Sequence, residues 1–95
     1  MNDRDYAVCI YLKTFGLEDS RDVCIQGVLE AISTLPPQEQ LTLEYHFRSG
    51  MTYKKTGEKL GGISIGQARH LVNRALRMLR HPIRAKKMYV ATTRK

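Results

Sequence analysis

Between Ser64 and Arg80 the chain concentrates one kind of chemistry on one side of a helix. At a repeat of 3.6 residues, Gly66, Gln67, Arg69, His70, Asn73, Arg74, Arg77 and Arg80 fall outward, while Ala68, Leu71, Val72, Ala75, Leu76 and Leu79 form an apolar stripe opposite. Arginine bonds guanine bidentately, asparagine and glutamine bond adenine, and long cations spaced along a helix reach phosphates. The solvated face of a bundle helix is the plainer reading of such a pattern, but that kind of face normally mixes acids with bases. This one has no acid, so the residues point to duplex DNA.

Recognition helices read bases near their N-terminal end, so Ser64 to His70 is expected in the major groove. Ser64, Ile65, Gly66, Gln67, Arg69, His70 and Asn73 are then the candidates for base contact, Ile65 through a thymine methyl and Gly66 through close backbone approach. Thr52, Lys54, Lys55, Arg74, Arg77 and Arg80 are the candidates for phosphate contact. Free N–H groups at helix starts near Thr52 and Ser64 would add to them. Tyr53, beside Lys54, is a further candidate for the DNA backbone.

Other chemistries find little support. His46, His70 and His81 lie on separate segments without a Cys or carboxylate at ligand spacing, so neither metal nor cofactor is expected. No Gly-rich phosphate loop, Ser-His-Asp set or activated Cys-His arrangement is present, which predicts a protein without catalysis. Cys9 and Cys24 lack Cys-x-x-Cys spacing and are expected as reduced, partly buried thiols. No window approaches ~18 consecutive apolar residues. The opening Met-Asn-Asp-Arg-Asp does not resemble a secretion signal, which predicts a cytoplasmic location away from membranes.

Charge is distributed as the DNA reading requires. The net charge is +7 over 95 residues, yet residues 1–50 hold four Lys and Arg against eight acids. Residues 51–95 hold twelve Lys and Arg, with Glu58 as their one acid. Such asymmetry assigns a polyanion to the second half.

The elements that must position these residues are helical, within one domain at this length. Over residues 5–12, Tyr6, Val8, Ile10 and Leu12 alternate as in a strand, whereas Val8, Tyr11, Leu12 and Phe15 fit a helix stopped near Gly16. With no second strand to pair, the helix is preferred. Ser20 is expected to cap a helix carrying Cys24, Val28, Ala31, Ile32 and Leu35, in which Gly27 lets a neighbour approach closely. Pro36-Pro37 separates it from a helix bearing Leu43 and Phe47 that stops at Gly50. Thr52 caps a two-turn helix with Tyr53, Thr56, Gly57 and Leu60 on one face. Gly61-Gly62 turns the chain, and Ser64 with Gln67 makes a capping box for the recognition helix, which Pro82 ends or breaks. The expected fold is an all-α bundle of four to five helices with a C-terminal helix-turn-helix.

Leu35-Pro-Pro-Gln-Glu39, Phe47, the run Met51 to Gly61 and the run Arg74 to Pro82 together resemble region 4 of sigma-70 family factors, over about residues 25–84. The resemblance implies a helix-turn-helix that reads a promoter −35 element and touches the β-flap of RNA polymerase. Thr52, Gly57 and Leu60-Gly61 match the family's first helix and turn, and Arg69 matches a base-contacting arginine. Lys54-Lys55 replaces an acidic pair, Ile65-Gly66 stands where an Arg-Glu pair is usual, and His70 stands where Gln is common. Residues 1–24 are too few for the region that melts a −10 element. The expectation is therefore a free-standing region 4, with 1–24 as a helical N-terminal extension and 85–95 as a basic tail.

The function expected is sequence-specific transcriptional regulation on double-stranded DNA. The alternative is a protein-interaction module that binds RNA polymerase or another factor with only non-specific DNA affinity. An apolar surface including Leu41 would serve such a partner or a homodimer. Arg84, Lys86, Lys87, Arg94 and Lys95 either extend the last helix toward phosphates or form a solubilising end.

Overall fold

The computed structural model describes residues 1–89, so Arg94 and Lys95 lie outside the described residues. The first helix, α1 (Asp3–Phe15), begins where Asn2 Oδ1 accepts from the Asp5 N–H at 2.8 Å, and it closes at Gly16. Tyr6, Ala7, Ile10, Tyr11 and Thr14 are buried along it. That is helical periodicity, and the alternating pattern arises because Tyr6 and Ile10 also stand one turn apart.

The second helix, α2 (Ile25–Ser33), starts later than the sequence suggested. Its N-cap is Cys24, whose Sγ accepts from the Gly27 N–H at 3.4 Å, and Ser20 does not cap it. The reason is non-local. Val23 forms an isolated antiparallel bridge with Tyr89, and the Cys24 N–H donates to the Met88 carbonyl at 2.9 Å, which holds this backbone extended. Cys9 and Cys24 are free and half-buried, and burial pushes the Cys9 thiol above its ordinary pKa.

Pro37 occupies the first turn of α3 (Pro37–Leu43), where its missing N–H costs nothing. Gln40 Nε2 donates back to the carbonyls of Leu35 (2.7 Å) and Ser33 (3.1 Å), stitching the proline corner. The helix continues as a π-turn over Glu44–Arg48 and ends before Gly50. Two further helices follow, α4 (Tyr53–Lys59) and α5 (Ile65–Leu79).

Pro82 then opens a sixth helix, α6 (Pro82–Met88), one more than the expected four to five. The break at Pro82 is therefore a restart, because proline fits the first helical position as readily as it ends a preceding helix. Ala85 and Met88 are buried on α6, which takes up Arg84, Lys86 and Lys87.

Helices α1, α2, α3, α5 and α6 share one core, in which Tyr6, Ile10 and Tyr11 of α1 join Val28, Ile32, Leu35, Leu43, Leu79 and Met88. Beside it, two helices meet backbone to backbone. A Cβ built on Gly27 would stand 1.6 Å from the Lys87 carbonyl oxygen, so α2 and α6 meet where no side chain fits. The sequence reading of Gly27 as a point of close approach holds, and the neighbour is α6. Arg84 Nε, donating to Thr34 Oγ1 at 2.9 Å, and the Lys87–Glu30 pair at 3.4 Å flank that contact.

Gly27→Ala must push α6 off α2. The expected loss is about 2–3 kcal/mol of stability, at the upper end of overpacking costs, or a melting temperature lower by ~10–20 °C. Thermal denaturation followed by circular dichroism checks it.

Candidate nucleic-acid interface

The geometry of the site begins in the turn between α4 and α5. Thr52 Oγ1 accepts from the Lys55 N–H at 3.2 Å and starts α4. At its far end the N–H groups of Gly62 and Ile63 both donate to the Gly57 carbonyl, at 2.9 and 3.1 Å. Gly61 (φ 100°) and Gly62 (φ 85°) supply the left-handed backbone this reversal needs. A Cβ on Gly57 would lie 2.5 Å from the Ile63 carbonyl oxygen, so only glycine lets the turn fold back onto α4. Ser64 then starts α5 through a complete capping box: its Oγ accepts from the Gln67 N–H, and Gln67 Oε1 accepts from the Ser64 N–H, both at 3.1 Å.

On α5, Ala68, Val72, Ala75 and Leu79 are buried, and Leu71 and Leu76 are half-buried. This anchors the helix along one side and sets the opposite side toward solvent. Ser64, Ile65, Gly66, Gln67, Arg69, His70 and Asn73 are all exposed on its first turns, so the structure brings the base-reading candidates together on one surface. They are not equivalent donors and acceptors. The capping box turns Gln67 Oε1 back onto the Ser64 N–H, which ties the orientation of this amide to the helix start. Among the described residues Asn73 has no intramolecular side-chain bond, and its amide is unconstrained by any cap.

The cations divide in a way their count conceals. Lys54, Lys59, Arg69 and Arg77 are exposed, with no ion pair among the described residues. Lys55 stands 3.8 Å from Glu58, an exposed pair of little energetic weight. Arg74 is different: its Nε lies 3.4 Å from Glu39 Oε2, and the Glu39 side chain is only 5% exposed. Part of the Arg74 charge thus neutralises a carboxylate buried beneath α5. Arg80 Nη1 donates to the Thr14 carbonyl at 3.4 Å, tying the end of α5 to α1. Thr52 presents a hydroxyl already accepting within its own cap.

Tyr53 stacks on His46 with ring centroids 4.3 Å apart and planes at 12°, and His46 Nδ1 lies 2.8 Å from the Met51 carbonyl oxygen. One face of the tyrosine ring is therefore covered by protein. Sequence reasoning missed this stack, the Glu39–Arg74 pair and Lys59, which sits exposed at the end of α4. Lys59 was legible as the third lysine of that helix. Glu39 offered no signal, since nothing in its local sequence distinguishes a buried glutamate from a solvated one.

No group of three or more His, Cys, Asp or Glu among the described residues could hold a metal ion. No described helix is long and apolar enough to cross a membrane. The family model described as "Sigma-70, region 4" matches residues 31–81. The chain belongs to this family of DNA-binding helix-turn-helix domains, which bind DNA and RNA polymerase. Comparison with curated proteins finds no match, and comparison with solved structures finds none either.

Two arginines one turn apart should therefore respond differently to removal. Arg77→Ala is expected to lower the dependence of log affinity on log salt by about one and to leave the melting temperature unchanged. Arg74→Ala leaves Glu39 buried without its partner and is expected to lower the melting temperature by several degrees. Salt-titrated DNA binding and thermal melts of both variants check the pair.

Proposed function

We propose that this member of the sigma-70 region 4 family is a sequence-specific regulator of transcription that places the N-terminal half of α5 in the major groove of double-stranded DNA. The observation that carries the reading is the exposed, acid-free side of α5, with Arg69, His70 and Asn73 facing away from an anchored apolar stripe. Arg69 and Asn73 are the side chains suited to guanine and adenine, with His70 between them. Lys54, Lys55, Lys59, Arg77 and the free edge of Arg74 supply phosphate contacts from α4 and α5 and steer the complex. Ser64 and Gln67 act first by fixing the start of α5 and only secondarily through the donors their capping box leaves free. No step of this function calls for catalysis or a cofactor.

A second surface supports contact with RNA polymerase. Leu41 is 44% exposed beside a groove of about 440 Å³ lined by Tyr6, Ile32, Pro37, Gln40 and Glu44. On this reading one face holds the polymerase while α5 reads DNA.

Selection from a random duplex library at ~150 mM salt, where non-specific contacts weaken, is expected to recover a motif. The symmetry of that motif reports whether one copy binds or a homodimer covers two half-sites. Arg69→Ala should cost about 1–3 kcal/mol on the motif and relax one position. Recovery of no motif, with a steep salt slope on every sequence, would reduce the protein to its polymerase-binding face with background DNA affinity.

A further inference from the structure

Neither Ile65 nor Gly66 belongs to the buried core. Ile65 is the first residue of α5 and is 55% exposed, on a helix whose Ala68, Val72, Ala75 and Leu79 are buried. The apolar position that packs behind a helix cap precedes the cap. Here it belongs to half-buried Ile63, whose carbonyl already stands against Gly57. Isoleucine is also a modest helix former because its branched Cβ restricts χ1.

Gly66 is unexplained in the same way. A Cβ built there would meet nothing nearer than Ser64 Oγ at 4.0 Å, and its backbone is not left-handed. Alanine would fit and would favour the helix. Two adjacent residues thus carry a cost in helix propensity without a place in the buried core. They sit at the tip of α5 beside exposed Arg69 and His70, on a helix without an acid, which favours a polyanion as what covers them.

We propose that Ile65 and Gly66 form a knob and a notch that recognise the 5-methyl group of a pyrimidine in the major groove. The thymine methyl is the apolar group that the four bases present on that edge. Ile65 packs on it, and the bare Gly66 backbone lets the helix tip come close to the base. The ligand class is accordingly a thymine-containing step, and a 5-methylcytosine offers the same group. The inference rests on α5 being the DNA reader, as proposed above, and assigns the tip of α5 a specificity of its own.

The test uses the full-length chain and the motif recovered from the random library. Each thymine is replaced in turn by deoxyuridine, which removes only the methyl. At one or two positions the affinity is expected to fall ~3–5-fold, as loss of one buried methyl implies. Ile65→Ala should bind thymine and deoxyuridine equally there. Gly66→Ala should melt at the same or a higher temperature yet bind the motif several-fold more weakly, a combination that loss of folding cannot produce. A motif without thymine, or one indifferent to deoxyuridine at every position, overturns the inference and leaves the DNA-reading function standing. A methyl effect that persists in Ile65→Ala, or an undiminished affinity of Gly66→Ala, also overturns it. Recovery of no motif overturns both.

Discussion

Burial of one side of α5 is the constraint on which the rest of this structure depends. Ala68, Val72 and Ala75 are small enough to let the neighbouring helices come close, and Leu79 carries the same stripe into the core shared with α1, α2 and α6. Turning the helix by one residue would rotate it by about 100°, lifting apolar side chains into water and driving arginines inward. Each fully exposed aliphatic side chain would cost roughly 1.5–3 kcal/mol, and a desolvated charge would cost more. The rotational setting of α5 is thus held by its hidden side, and the identity of the exposed side follows.

The second determinant is backbone proximity, used twice. Gly57 lets the Ile63 carbonyl rest against α4, so α5 leaves the turn in one direction only. Gly27 lets the Lys87 carbonyl rest against α2, bringing α6 back across the start of the bundle and pairing Tyr89 with Val23. The first contact aims α5. The second closes the opposite end, so that α6, seven residues long and marginal in isolation, stands in the common core through Met88.

Charge is organised by the same packing. Several cations of the basic half work inside the molecule: Arg74 against buried Glu39, Arg80 on the last turn of α1, Arg84 on Thr34 and Lys87 against Glu30. A buried carboxylate needs its partner far more than an exposed one does, which is why Arg74 differs from Arg77 although both are arginines of one helix. The surface left over, Lys54, Lys59, Arg69 and Arg77 with His70 and Asn73, is smaller than the composition suggests and more concentrated around the helix-turn-helix.

The helix-turn-helix itself was legible in the sequence because every signal for it is local. Thr52 and Ser64 cap the helices that follow them, Gly61-Gly62 turns the chain, and the 3.6-residue stripe of α5 separates inside from outside without reference to anything distant. Propensity, capping and periodicity act within a few residues and are written there. What only the tertiary structure decided involves partners far apart along the chain. Ser20 yields to Cys24 as a cap because Met88 and Tyr89 hold the preceding backbone, and the helix that Pro82 starts docks where α2 offers Gly27 to receive it. Glu39 reaches Arg74 from another helix and Tyr53 finds His46, which redistributes roles among residues that look alike in sequence. Residue type and local spacing decide which groups exist and which face they share. Which of those groups remain free to act is settled by long-range packing, since burial and pairing depend on what the rest of the chain brings alongside.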